Sequence, residues 1–486
     1  MLNLDFNDMK KILIAIIAIF TLVSCEKDIT NLNIDKKRPA VAPPEPIFAN
    51  AQRNLSDILA TPNVNSGIFR LLSQHWTETT YFDESRYDLA TRNIPQNFYA
   101  AVYRDVLRDF NEVKSLIPVN LNTSAAQKAN QLAITDIMQV YAYSILVNTF
   151  GNIPYTDALN INNATPKFDD AKTIVLDLLL RLNTDIAALD NSAESFGSSD
   201  LIYKGDIDSW IRFANTFKLK LGMSLADSDP ALAKIAVESA APNVFTSNSD
   251  NAAFEYFNVT PNTNPIWVNL VQSGRKDFVA ANTLVDKMNS LADPRIPVYF
   301  TTGSAGTYVG GIYGASNNYA KFSKPGVAIT NPAREYVFLD YSETEFFLAE
   351  AVERGFSVGG TAQSHYNNAV TASILYWGGT NLDAATYLAT PKVNYTTATG
   401  NYKQKIGEQK WIALYDKGFD AWTEWRRLDY PILNVPPGTP VLTYADIPVR
   451  FTYPVNEQNL NKANYDVASS AIGGDLVKTK LFWDKF

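Results

Sequence analysis

Cysteine and histidine are almost missing from this chain: Cys25 stands alone, and His75 and His365 are the only imidazoles in 486 residues. A single cysteine forms no internal disulfide, and two isolated histidines supply neither an H-E-x-x-H pair nor a Cys/His zinc site. No G-x-x-x-x-G-K-[ST] loop, strand-to-helix G-x-G-x-x-G, EF-hand loop or G-x-S-x-G elbow occurs. No metal, nucleotide or other cofactor is therefore expected, and a catalytic triad would have to use His75 or the mid-helix His365. Basic charge is short as well: 42 Lys and Arg against 50 Asp and Glu leave a net −8. That balance argues against nucleic acid and against an anionic membrane surface as partners. What these gaps do not exclude is a two-carboxylate hydrolase. Asp420 and Glu424 lie one turn apart, but beside Arg426 and Arg427 they read as helix-stabilising ion pairs.

Long apolar runs are also scarce, and the one that exists organises the rest. Lys10 and Lys11 precede the 12 apolar residues Ile12 to Val23, the length of a signal-peptide core and too short to span a bilayer. The run closes on Leu22-Val23-Ser24-Cys25, a small residue directly before a cysteine, which is what a lipoprotein signal peptidase requires. Residues 1–24 thus read as a signal peptide (with Met9 as an alternative start) and Cys25 as the lipidated residue. Residues 25–46, with Pro39, Pro43, Pro44 and Pro46, read as an extended tether. Glu26-Lys27-Asp28 resembles the acidic signal that sends Bacteroidetes lipoproteins to the outer face of the outer membrane.

Aromatic residues, by contrast, abound: 25 Tyr, 26 Phe and 8 Trp. The body expected from residue 47 falls into three parts. Residues 47–240 carry apolar residues at helical spacing, as in Phe98, Val102, Val106, Phe110 and Val113, or Trp210, Phe213, Phe217, Leu221 and Leu225. Helices are expected at Ser66–Thr80, Gln131–Phe150 (stopped by Gly151 and Pro154) and Asp169–Leu189. Residues 241–335 are rich in Asn, Thr, Gly and Tyr, with one helix expected at Phe278–Ser290. Residues 336–486 return to helical pairs, with a capping box at Ser342 and Glu345, a stop at Gly355, a second helix near Thr361–Tyr376 and two more between Lys403 and Trp425. A tail without clear period is expected to wrap back over them. Helical pairs of this size suggest an all-α solenoid of tetratricopeptide-like pairs with long irregular loops. Within it, Trp76, Tyr81, Phe82 and Tyr87 share no helical face and sit among acids, hydroxyls and an arginine. With Trp267, Tyr308, Tyr313 and Tyr319 of the middle part they are the candidate ligand platform, since flat rings offer contact area at small entropic cost.

The chain resembles the SusD/RagB family of outer-membrane lipoproteins, in its SusD-like, starch-binding-associated branch. The resemblance lies in the CEKD lipoprotein start, SQHWTETTYFDESRYDL (73–89), NTFGNIPYTDAL (148–159), YKGDIDSWIRFANTFKLKLGMSLAD (203–227) and NSLADPRIPVYF (289–300). It continues in YSETEFFLAEAVERG (341–355), IGEQKWIALYDKGFDAWTEWRRLDYPIL (406–433) and RFTYPVNEQNLNKANYDVA (450–468). It implies a helical body on four tetratricopeptide-like units and a role in capturing nutrient without catalysis. It also implies a SusC-like TonB-dependent transporter as partner, and an oligosaccharide ligand held by an aromatic arc from residues 75–87 and the irregular middle. Some relatives take peptides instead. A surface glycan-binding protein is thus weighed against a surface glycoside hydrolase, and exposed rings or two acids converging in a cleft distinguish them.

Overall fold

The computed structural model describes residues 5–7, 10–11 and 42–485. Cys25 and nearly all of the signal and tether segments lie outside the described residues. The chain divides into the units Met1–Pro43 and Pro44–Phe486. Of the first, Phe6, Asn7, Lys10 and Lys11 are helical. The second is the body, and it carries every candidate ligand ring.

The body opens at Pro44, not Ile47: α1 (Pro44–Ala60) takes a proline at its first position, where the missing N–H would be unpaired in any case. The expected helix at Ser66–Thr80 shrinks to α2 (Phe69–Leu72), because Gln74 adopts φ +56° and the chain leaves as strand β1 (Trp76–Glu78). Phe98, Val102, Val106, Phe110 and Val113 are all fully buried, on α3 (Ile94–Ala101), a π-helical segment Val102–Leu107 and α4 (Arg108–Leu116). Helix α5 (Ala125–Phe150) is capped by Ser124 and buried on most sides, and it ends at Gly151 with φ +82°. Helices α6 (Ala171–Ala188), α7 (Ile207–Ser224) and α8 (Pro230–Ala240) complete this part. At Gly222 a Cβ would lie 3.0 Å from Val237 and 3.1 Å from Ala236, so a side chain there would force α7 and α8 apart by a few tenths of an ångström.

The middle part is built of short pieces: strand β2 (Ala253–Phe254), α9 (Pro265–Trp267), strand β3 (Phe278–Ala280), α10 (Asn282–Leu291), α11 (Ile296–Tyr299) and strand β4 (Tyr336–Val337). The expected helix at Phe278–Ser290 is thus a strand followed by a helix. Two antiparallel ribbons form, β1 with β3 and β2 with β4. Beyond them come α12 (Tyr341–Glu353), α13 (Ala362–Tyr376), α14 (Asn381–Leu388), α15 (Tyr402–Ala413) and α16 (Gly418–Leu428). The cap of α12 is Asp340, whose Oδ1 accepts from Glu343 N at 2.7 Å, so the capping box expected at Ser342 and Glu345 is not the one formed. The stop at Gly355 is as expected, with φ +76°.

Helices pack as neighbours in pairs, α5 with α6, α7 with α8, α12 with α13 and α15 with α16, and α6 on α7 and α12 on α15 join the pairs. This is an all-α helical-pair solenoid with long irregular loops. The tail, with α17 (Val455–Leu460) and α18 (Lys462–Ala471), closes over the end of α5. There Phe451 N donates to Thr149 O at 2.8 Å, and Trp483 Nε1 to Asn148 Oδ1 at 3.0 Å.

Where α7, α12, α15 and α16 meet, the core is charged. Lys417 Nζ lies 2.6 Å from Glu343 and 3.1 Å from Asp340, and Lys220 lies 2.8 Å from Glu343 and 2.5 Å from Asp420. Lys410 pairs with Glu424 at 2.8 Å, and Arg427 joins Glu424 to Glu350 at 2.6 and 2.5 Å. Burial alone would raise the Glu350 pKa, but Arg427 holds it down to about 2. Of the ion pairs the sequence suggested, Glu424 with Arg427 forms, whereas Asp420 pairs with Lys220 and Lys417 and Arg426 donates to the carbonyls of Asn148 and Val449. Lys417→Met should lose about 3–5 kcal/mol of unfolding free energy, because it leaves buried carboxylates without their cation. Urea unfolding at neutral pH measures this, and a loss below about 1 kcal/mol would show that the network is dispensable.

Candidate functional site

Gln74 sets the site in place. Its left-handed backbone turns the chain out of α2, and its side chain pins the turn. Gln74 Oε1 accepts from Thr283 Oγ1 at 2.7 Å and from Asn434 N at 2.9 Å, while Nε2 donates to Asn434 O at 2.7 Å. The next residues point inward. His75 is fully buried against Trp411 O (3.1 Å), and burial pulls its pKa down to about 3. Trp76 is 1% exposed and donates from Nε1 to Tyr415 OH at 3.0 Å.

This corrects the reading of Trp76 as a ligand ring. A ring that stacks on ligand needs an open face, and both faces of Trp76 are packed. Tyr313 is corrected likewise: it is 1% exposed, with its hydroxyl on Leu71 O at 2.8 Å. Tyr87 is half-buried beside it, ring centres 6.3 Å apart, and burial raises its pKa.

Beyond Glu78 the strand emerges, and three segments meet at Thr79. Thr79 N donates to Asp277 O at 2.9 Å, its Oγ1 to Lys276 O at 2.7 Å, and its carbonyl accepts from Asn317 N at 2.7 Å. Asn317, nine-tenths buried or more, reaches the carbonyls of Glu78 and Ile312 at 3.0 Å and Ala315 at 2.8 Å. It is the clasp between the 303–322 loop and the loop after β1, and reading for aromatics passed over it. A buried asparagine bonded wholly to backbone leaves no periodic trace.

Around this junction the other candidates keep exposure. Tyr81 is 70% exposed and Phe82 half-buried. Tyr319, two residues past the clasp, is half-buried, with Lys324 Nζ 5.1 Å and Lys276 Nζ 5.9 Å from its ring centre. It lines a cleft of about 220 Å³ with Leu270, Val271, Arg275 and Lys324. Trp267, half-buried, ends α9 one turn before Val271, and α9 is fixed by Asn264, whose Oδ1 accepts from Ile266 N and whose Nδ2 donates to Arg334 O, both at 2.7 Å. Tyr308 is half-buried at the other end of the loop, where its carbonyl accepts from Asn289 Nδ2 of α10 at 3.0 Å.

Two acids stand at the base of the loop. Glu78 and Glu84 are 2% and 1% exposed, within hydrogen-bonding reach of each other, and neither lines the cleft. Glu78 Oε2 accepts from Ser85 N and Ser85 Oγ, both at 2.8 Å, and Glu84 pairs with Arg92. Burial first, then Glu84, pushes the Glu78 pKa up to about 9. The bonds of Glu78 to Ser85 staple the two ends of the loop that carries Tyr81 and Phe82. Among the described residues no cluster of three or more His, Cys, Asp or Glu is arranged to hold a metal.

The model of the SusD-like family described as starch-binding and associating with the outer membrane matches residues 36–454. Among solved structures, a chitin-binding SusD homologue from Flavobacterium johnsoniae is 26% identical, with TM-score 0.78 over 91% of this chain and 98% of that one. A further chitin-binding protein is 24% identical (TM-score 0.79, 91% of this chain and 100% of that one). A SusD homologue from Bacteroides uniformis is 23% identical (TM-score 0.77, 90% and 99%). Among curated proteins none matches the chain.

The raised pKa of Glu78 has a testable sign. The fold keeps Glu78 protonated at pH values where the unfolded chain has lost that proton, so stability falls as pH rises from about 4.5 toward about 9. Glu78→Gln supplies a neutral acceptor and donor at every pH. It should match wild type within about 0.5 kcal/mol at pH 5 and exceed it by about 1–2 kcal/mol at pH 8. Denaturant midpoints at the two pH values check this, and an equal loss at both would overturn the protonated state of folded Glu78.

Proposed function

The chain belongs to the SusD-like family, and from that membership we propose that it is a cell-surface lipoprotein that captures a glycan and passes it to a SusC-like TonB-dependent transporter of the outer membrane. The observation that supports the reading is a group of partly open rings on these loops: Tyr81 and Phe82 just beyond Thr79, Tyr319 in the cleft with Arg275 and Lys324 and with Lys276 near its ring, and Trp267 one turn before the cleft residue Val271. Rings with an open face bind the apolar faces of sugar rings, and neighbouring cations and backbone groups bind hydroxyls. Tyr87 and Tyr308 belong to the proposed surface as its inner margin. Lipidation at Cys25 would anchor the protein through acyl chains. Among the described residues no helix is long and apolar enough to cross a membrane. Glu78 and Glu84 are buried and do not line the cleft at Tyr319, so this pair is not placed as the two acids of a glycoside hydrolase there.

The test is affinity electrophoresis of the full-length protein through gels containing starch or glycol chitin, with release of reducing ends assayed in parallel. Wild type should be retarded by one glycan without release of reducing ends. Tyr81→Ala, Trp267→Ala and Tyr319→Ala should each weaken binding about three- to tenfold at unchanged stability, as expected for rings worth about 0.5–1.5 kcal/mol. Trp76→Ala should instead destabilise the fold by about 3–5 kcal/mol. Retardation by no glycan would move the ligand class to peptides, and product release would move the protein to the hydrolases.

A further inference from the structure

A second groove, of about 500 Å³, shares no lining residue with the cleft at Tyr319. One wall is the helix α3–π–α4, which presents Tyr99 and Tyr103 with ring centres 4.5 Å apart. The facing lip is the 151–166 loop, tied to the first wall by Tyr103 OH donating to Pro154 O at 2.5 Å.

Two local features mark the place. The helix winds as a π-helix through Val102–Leu107, an irregularity that concentrates at functional sites. On the lip, Leu159 is held at φ +62°, a conformation that costs a branched side chain energy and persists only where its surroundings impose it. Beside it Ile161 is 93% exposed, an aliphatic side chain offered to solvent at the groove's edge.

The groove is lined mainly by apolar and aromatic surface, with Gln96, Asn160 and Asn456 among it, and it carries opposite charges in Glu457 and Arg108. At the Tyr99 end stands Glu457 of α17, close enough that, after burial, its carboxylate is the main cause raising the Tyr99 pKa. At the other end stands Arg108, exposed on the first turn of α4. Arg104, between them, is already clamped to Asp105 at 2.6 and 2.7 Å, which leaves Arg108 as the cation that closes the groove. Tyr99 and Arg108 are nine residues apart on one helical rod, about 13 Å at about 1.5 Å per residue. An extended peptide of about four residues spans the same length at about 3.3 Å each.

The geometry points to a binding site for a short zwitterionic peptide, its ammonium at Glu457, its carboxylate at Arg108 and its apolar side chains against Tyr103 and Ile161. The fixed charges of Glu457 and Arg108 complement the termini of a peptide, which a neutral saccharide lacks. The inference does not depend on the glycan reading, because it uses other residues on other elements.

The test is calorimetric titration of the full-length protein in mild detergent with the tetrapeptide alanyl-leucyl-leucyl-alanine, free and with N-acetyl and C-amide ends. Saturable binding of the free peptide is expected, with the blocked form at least about tenfold weaker, a difference of about 1.4 kcal/mol. Arg108→Gln, at an exposed position that leaves the fold intact, should weaken the free peptide about five- to tenfold and leave glycan retardation unchanged. Glu457→Gln should act on the ammonium end alone, weakening the free peptide but not an N-acetylated one. Absence of saturable binding, equal binding of the blocked form, or unchanged affinity in Arg108→Gln would each overturn the proposal. So would binding that Tyr81→Ala abolishes, since that would place the peptide on the loop platform.

Discussion

Lys417 is the interaction on which the architecture turns. Its ammonium, at 5% side-chain exposure, stands between Asp340 and Glu343 of the α12 start and Asp420 of α16. Moving such charges out of water costs several kcal/mol per ion, and attraction repays that only when every charge finds its partner. The surrounding residues meet this condition as a set: Lys220 takes the other side of Glu343, while Lys410 and Arg427 take Glu424. A one-turn slip of α12 on α16 would leave at least one carboxylate buried alone. The network therefore selects one register among packings that hydrophobic burial alone would rank as similar.

That register reaches the ligand loops through a short chain of contacts. Asp416, next to Lys417, accepts from Arg70 at its carbonyl (2.7 Å) and its Oδ1 (3.1 Å), and its Oδ2 pairs with Arg334 at 3.1 Å. Arg70 lies on α2, four residues before the turn at Gln74. From there Trp76 bonds to Tyr415, which stacks on Tyr299 at 4.2 Å between ring centres, and Trp377 closes on Tyr299 at 4.7 Å. The exposed rings thus rest on a column of buried ones. Loop residues are mobile by default, since few contacts hold them; here the clasp at Asn317 and the carboxyl staple at Glu78 anchor both ends of the segment that carries Tyr81.

Much of the helical scaffold is legible in the sequence, because a helix writes its buried face every three to four residues. Trp210, Phe213, Phe217, Leu221 and Leu225 say where α7 lies and which side is inward. The departures have a common cause in long-range partners. Strand β1 is three residues long, pairs with residues about two hundred positions away, and follows a non-glycine residue at positive φ; nothing within a window of neighbours encodes any of these. The same holds for the site. Composition marked these loops as aromatic and polar, but whether a ring faces water or Tyr415 is decided by another part of the chain. Trp76 and Tyr81, five residues apart in one motif, have opposite fates for that reason.

The open platform also bounds how tightly a glycan can be held. Four rings at about 1 kcal/mol each contribute about 4 kcal/mol, no more than the about 4 kcal/mol of a 1 mM complex. Hydrogen bonds to hydroxyls add to this only to the extent that they outdo the water they replace. Firm capture therefore needs either a long ligand that engages several patches at once or a second surface closing over the first. Both suit the proposed role. A protein that hands its ligand on gains nothing from a deep pocket, because every kcal/mol of affinity must be given back at transfer. The scaffold is correspondingly rigid where charge is buried, and the proposed binding face is shallow where the loops emerge.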